Sequence, residues 1–241
     1  MIMKKIHLWL ALPFGIVMSI ICITGAILVL EKPLTALFYP EYNVPRTEVV
    51  EARSSEPHPA AEGAKGSDVK KRPHPKKAPF FAATLKLHRW LLDAPANRGE
   101  RTLGKTITGV TVIMFVIDLL TGLYLWWPRT RKVLSNRLRV ATSKGLRRLL
   151  YDTHVSLGFW SMLVLLIISV TGLTWSFPVC RTMVSALLEP IVGADGVRGA
   201  IFSLHTGTWG GVTSQAIYFV ACLIGTALPL TGYYMWWKKR K

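Results

Sequence analysis

Four long stretches of this chain carry almost no charge, and they leave few folds open. Ile6–Leu30 has 25 residues without Asp, Glu, Lys or Arg, and Thr106–Trp127 has 22 with one, Asp118. Val155–Val179 has 25 and Val212–Trp237 has 26, both with none. A helix needs about 20 apolar residues to cross roughly 30 Å of hydrocarbon. Each stretch is therefore long enough to span a bilayer with some tilt. A soluble protein of 241 residues is too small to bury four uncharged helices, which disfavours a water-soluble bundle. The expected fold is all-α, with four transmembrane helices. The first stretch is too long for a signal-peptide apolar region, and no A-x-A site precedes Glu31-Lys32-Pro33, so it reads as a retained helix.

Lys and Arg in the short connections predict the orientation. The 129–149 segment holds eight of them, Lys4 and Lys5 flank the first stretch, and the chain ends Lys238, Lys239, Arg240, Lys241. The segment from Cys180 to Gly211 holds only Arg181 and Arg198. Both termini and the 129–149 loop are thus expected in the cytoplasm. Trp126, Trp127, Trp236 and Trp237 are expected as interfacial belt residues there. The 31–105 connection carries fourteen Lys and Arg, but segments this long translocate largely regardless of charge. Within it, residues 50–79 have almost no large apolar side chains and cannot offset their ordering entropy, which predicts a flexible external linker. Residues 41–105 are rich in Pro, Lys, Glu and Ala, so the chain-wide hydrophobic content of 51% understates that of the remainder. An external polybasic stretch does not point to nucleic acid. The resulting division is residues 1–40 for the first span and its flank, 41–80 for the linker, 81–128 for an interfacial helix and the second span, 129–153 for the basic loop, and 154–241 for the third and fourth spans.

The chain repeats itself. His7 precedes Thr24-Gly25 by the same 17 residues that separate His154 from Thr171-Gly172, at a constant offset of 147. Thr121-Gly122-Leu-Tyr-Leu-Trp-Trp matches Thr231-Gly232-Tyr-Tyr-Met-Trp-Trp at offset 110, with Leu87-His88 and Leu204-His205 upstream. Spans 1–2 and 3–4 therefore read as two copies of one helical hairpin, and repeats commonly place sites at their interface.

Four of the six histidines occupy repeat-equivalent places; His58 and His74 lie in the linker and are assigned no role. His7 and His154 start spans 1 and 3 on the cytoplasmic face. His88 and His205 precede spans 2 and 4 on the external face. Two histidines per face, from different helices, are what two bis-histidine haems require, and ionisable residues beside spans point to function. Separate interfacial histidines are the bland alternative. Two His without nearby Cys, Asp or Glu make a poor zinc set. A position 17 residues along a helix is about 25 Å away. Gly25 and Gly172 thus reach the level of His88 and His205, and Gly122 and Gly232 that of His7 and His154. A glycine there lets a flat haem approach the backbone, or simply lets helices pack closely. His88 and His205 lie too far from their Thr-Gly pairs to sit inside a straight span. Leu85–Leu92 is therefore expected as a short interfacial helix and Ala94–Lys105 as a turn, which predicts a shallow, partly solvent-accessible external site. Asp118 is the one acid within a span. It reads as a hydrogen-bonding or snorkelling partner, or as a group for proton coupling or for stabilising a ligand imidazole. Cys22 and Cys222 are expected to be packing residues and Cys180 external and unpaired. No CxxCH, GxGxxG, Walker A or HExxH motif occurs.

His7-x-Trp-Leu, Leu-His-Arg-Trp at 87–90, Thr-Gly-Leu-Tyr-Leu-Trp-Trp-Pro-Arg at 121–129, Asp-x-His-x-x-x-Gly at 152–158 and Leu-His-Thr-Gly at 204–207 together resemble the PepSY-associated transmembrane proteins. These are similar to iron-regulated inner-membrane proteins that include di-haem ferric-siderophore reductases. The resemblance covers nearly all of the chain except about 41–80, where family members often carry folded PepSY modules. It implies an oxidoreductase with two b-type haems, a cytoplasmic or membrane electron donor, and an external ferric chelate as acceptor. Arg89, Arg98, Arg101 and Arg198 are candidates to pair with haem propionates or to steer an anionic chelate. The competing readings are a cytochrome b subunit serving a separate enzyme, and a non-redox membrane scaffold.

Overall fold

The computed structural model describes residues 2–42, 77–97 and 100–240, and among them nine α-helices and no strand. His58, His74, Arg98 and most of the predicted linker lie outside the described residues. The four apolar stretches form four long helices: α1 (Ile2–Val29), α4 (Leu103–Trp126), α6 (Leu146–Ser176) and α9 (Gly211–Arg240). Each is long and apolar enough to cross a membrane. Their outward faces stay apolar, with Ile16, Leu120, Leu163 and Val220 all exposed, an arrangement suited to lipid rather than water.

The long helices close into a ring. α1 packs against α4 and α9, and α6 packs against the same two. So α1 and α6 stand on one diagonal and α4 and α9 on the other. The shared core is Met18, Ile21, Cys22, Phe115, Leu119, Leu165 and Ala221. Cys22 and Cys222 are buried free thiols and Cys180 is unpaired, as expected. Small residues set the approach. A Cβ on Gly15 would lie 2.9 Å from Pro229 Cβ, and one on Gly225 2.9 Å from Cys22 Sγ.

Because the long helices alternate in direction, both termini and the 127–145 connection lie at one end, here called the terminal end. The opposite end carries the short helices α2 (Glu31–Phe38), α3 (Pro79–Trp90), α7 (Pro178–Val192) and α8 (Val197–Thr206). α3 docks on α1 and α4, and α8 docks on α6 and α7. Prolines at N1 start α3 and α7, where a missing N–H costs nothing.

Several boundaries differ from the sequence reading. The interfacial helix expected at 85–92 begins six residues earlier, at Pro79. The two edges of the expected linker are folded as well, into a 3-10 turn at Pro40–Tyr42 and the start of α3. At the terminal end, the basic loop contains a helix, α5 (Arg131–Leu138), and α6 starts at Leu146, inside the expected loop of 129–153. That loop is anchored by polar contacts the apolar pattern does not register. Arg137 donates to the carbonyls of Leu125 and Trp126 at the end of α4. Asp152, 4% exposed, accepts from Arg148 Nε at 2.8 Å and Ala141 N at 3.1 Å. Trp126 is not a belt residue: it is 8% exposed and stacks on Phe159 at 3.6 Å, whereas Trp127 is 67% exposed.

Candidate functional site: two facing histidine pairs

The ring of helices brings the four repeat-equivalent histidines together in pairs, one at each end. His7 on α1 faces His154 on α6 across the diagonal, with ring centroids 6.5 Å apart and planes at 83°. His88 on α3 faces His205 on α8 at 6.3 Å and 56°. Each pair draws one histidine from each copy of the repeat.

Every ring is held by a Thr-Gly pair of its own copy. Thr121 Oγ1 lies 3.1 Å from His7 Nδ1, Thr231 Oγ1 2.8 Å from His154 Nδ1, Thr24 Oγ1 3.0 Å from His88 Nδ1 and Thr171 Oγ1 3.3 Å from His205 Nδ1. A second acceptor sits three residues before each threonine. The Ile21 carbonyl is 3.0 Å from His88 Nδ1 and the Ile168 carbonyl 3.0 Å from His205 Nδ1. The carbonyls of Asp118 and Leu228 bond His7 and His154 in the same way.

This arrangement fixes the tautomer. A carbonyl can only accept, so the nitrogen facing it carries the proton. Each threonine gives its own hydrogen to its own helix, to the carbonyl three or four residues back at 2.6–3.1 Å, and so turns a lone pair to the ring. Nδ1 therefore donates in all four rings, and Nε2 is left with a free lone pair. At the far end, outside the long helices, burial above all pushes both imidazoles down to about 4, and for His88 the neighbouring His205 adds to it. Both rings are thus neutral at pH 7, the form that ligates metals.

The glycine of each pair opens the space beside its histidine. A Cβ would sit 3.2 Å from His88 Cε1 on Gly25, 3.1 Å from His205 Cε1 on Gly172, 3.4 Å from His7 Cε1 on Gly122 and 3.9 Å from His154 Cε1 on Gly232. At the terminal end a cleft of about 280 Å³ lies between His7 and His154, lined chiefly by apolar side chains such as Met18, Phe115 and Leu228.

These residues fit a haem held by two axial imidazoles. A metal–imidazole bond is about 2.0 Å and a ring nitrogen lies roughly 1.1 Å from its ring centre, so two rings sharing one metal have centroids about 6.2 Å apart. Both pairs are at that spacing. Among the described residues no three His, Cys, Asp or Glu side chains cluster as a polydentate metal site requires.

The sequence predicts a shallow far-end site; all four imidazoles are half-buried, His88 and His205 like His7 and His154. Of the basic candidates, Arg89 belongs to this end: its guanidinium lies 4.5 Å from the Trp90 ring and its charge acts on both His88 and His205. Arg101 and Arg198 are exposed. The threonines went unrecognised as imidazole partners, although their four-fold recurrence beside glycine was a signal. Trp175, whose ring lies 4.9 Å from His205, gave none, since Leu28 stands at the equivalent place in the first copy.

The profile of the family described as PepSY-associated TM region matches residues 4–190 and 184–239. The chain belongs to the PepSY-associated transmembrane family. No curated protein and no solved structure matches it. Family membership and four long apolar helices make this a multi-pass membrane protein, with the histidine pairs at the two ends of its spans.

Proposed function

We propose that this member of the family is a di-haem b electron carrier of the bacterial inner membrane, with a ferric chelate as acceptor at the far end. The observation that carries the reading is the four-fold imidazole anchor: each Nδ1–H is tied to a backbone carbonyl and a threonine, and each Nε2 lone pair is free beside a partner ring 6.3–6.5 Å away. His7 and His154 would hold one haem and His88 and His205 the other, with Gly122 and Gly232 beside the first and Gly25 and Gly172 beside the second. When bound, each haem supplies a one-electron Fe(III)/Fe(II) couple.

The protein's own residues do the rest. Threonine and carbonyl acceptors keep the rings oriented and raise their basicity as ligands. The apolar core around Phe115 and Leu165 excludes water between the ends. The Lys and Arg count favours a cytoplasmic terminal end, which would make the donor cytoplasmic or membrane-borne and turn the far end outward. There one electron converts one ferric chelate to its ferrous form, whose lower charge binds hard oxygen donors less tightly. Arg89 supplies positive charge near that end for an anionic chelate.

Detergent-purified protein should contain two b-type haems per chain and be reoxidised by ferric chelates after reduction. His7→Ala and His154→Ala should each lose the same haem, while His88→Ala and His205→Ala lose the other. A double variant within a pair should match its singles, because the unit is already broken. Protein without haem, or four variants that all lose the same haem, would overturn the proposal. Haem that ferric chelates fail to reoxidise would leave a cytochrome b subunit for a separate enzyme.

A further inference from the structure

The four carbonyls that receive the histidine protons belong to Ile21, Asp118, Ile168 and Leu228. Three of these residues are aliphatic. The fourth is the one acid inside an apolar span, and the second copy has leucine in its place. Asp118 Oδ1 lies 3.7 Å from His7 Nδ1, and its side chain is 13% exposed. That oxygen is buried and has no hydrogen-bond partner among the described residues. A buried carboxyl oxygen left so costs stability, so its placement against one ring of four calls for a reason.

We infer that Asp118 is a positioning residue that acts through His7 and makes the two ends of the molecule unequal. This rests on the di-haem reading above. The Asp118 oxygen is turned to His7 Nδ1 and strengthens that ring as a donor, which would favour the oxidised metal. Asp118 therefore lowers the potential of the terminal-end site.

Redox titration with visible spectra tests this on the full-length protein. His88→Ala and His7→Ala, each retaining one haem, assign the two midpoints. Asp118→Leu, which installs the residue of the second copy, should raise the terminal-end midpoint. The expected shift is at least a tenfold change in the electron-sharing equilibrium, about 59 mV for one electron. Asp118→Asn should shift it less, and Leu228→Asp should lower it. Asp118→Leu protein with both haems and unchanged midpoints would overturn the inference. So would loss of the terminal-end haem from both Asp118 variants, since the acid would then be structural. Wild-type protein without haem would instead remove the di-haem reading itself.

Discussion

Each imidazole at the two sites depends on a hydroxyl that no histidine motif names. Thr231→Val keeps the shape of the side chain but leaves His154 Nδ1 with the Leu228 carbonyl alone. Haem retention at the terminal end should weaken about 10- to 100-fold, with the far end unchanged. Thr24→Val should do the reverse through His88. Competition with apomyoglobin, resolved by spectrum, measures both. Alanine at the four glycines should follow the clearances: Gly172→Ala and Gly25→Ala press on their rings at 3.1 and 3.2 Å and should lower haem content, whereas Gly232→Ala, at 3.9 Å, should be tolerated. The histidines and glycines were legible because the chain writes each of them in two copies of one motif, with seven extra residues after His88 in the first. The threonine role was not, since a Thr in an apolar helix ordinarily satisfies itself on its own backbone, as these four also do.

Among the elements, α3 has the most exacting attachment. Span α4 begins so close beneath it that a Cβ on Gly104 would lie 1.9 Å from the Trp90 carbonyl oxygen. Asp93, just past α3, accepts from Gly104 N at 2.9 Å, while Thr102 caps the same turn by accepting from Lys105 N at 3.2 Å. The chain between them turns through two left-handed leucines, Leu91 at φ 50° and Leu92 at φ 72°, a conformation that L side chains adopt at a cost. Gly104→Ala should therefore push α3 off α4 and carry His88 away from His205. The far-end haem should be lost while the terminal-end spectrum persists. Asp93→Ala, which removes one cap acceptor, should lower stability by about 1 kcal/mol, read as an earlier thermal loss of the far-end haem alone. The spans were legible because uncharged length admits few alternatives. α3, α5 and α8 were read short or missed because a helix of 8–12 residues is decided by docking, here of α3 on α1 and of Arg137 on the end of α4, rather than by its own pattern.

At the scale of the whole molecule, residues 52–76 lie outside the described residues, and their composition predicts a linker with no core to belong to. Deleting them should leave membrane insertion and haem content intact, as checked by fractionation and pyridine haemochrome assay. A reporter fused after Lys241 should read cytoplasmic and one inserted at Gly66 external, from the Lys and Arg distribution. The 147-residue offset foretold equivalent places for His7 and His154, and the Leu-His pairs did so for His88 and His205, but neither foretold that the two copies would interlock, with α1 lying against α9 as well as α4. That interlocking has a consequence for assembly. Both sites take one ring from each copy and anchor every ring within its own copy, so neither half of the chain owns a complete site. A cut in the 127–145 connection would leave two fragments, each with two correctly oriented histidines and nothing opposite them. A single copy on its own could recover both sites only by pairing with a second molecule of itself, head beside head in the same bilayer.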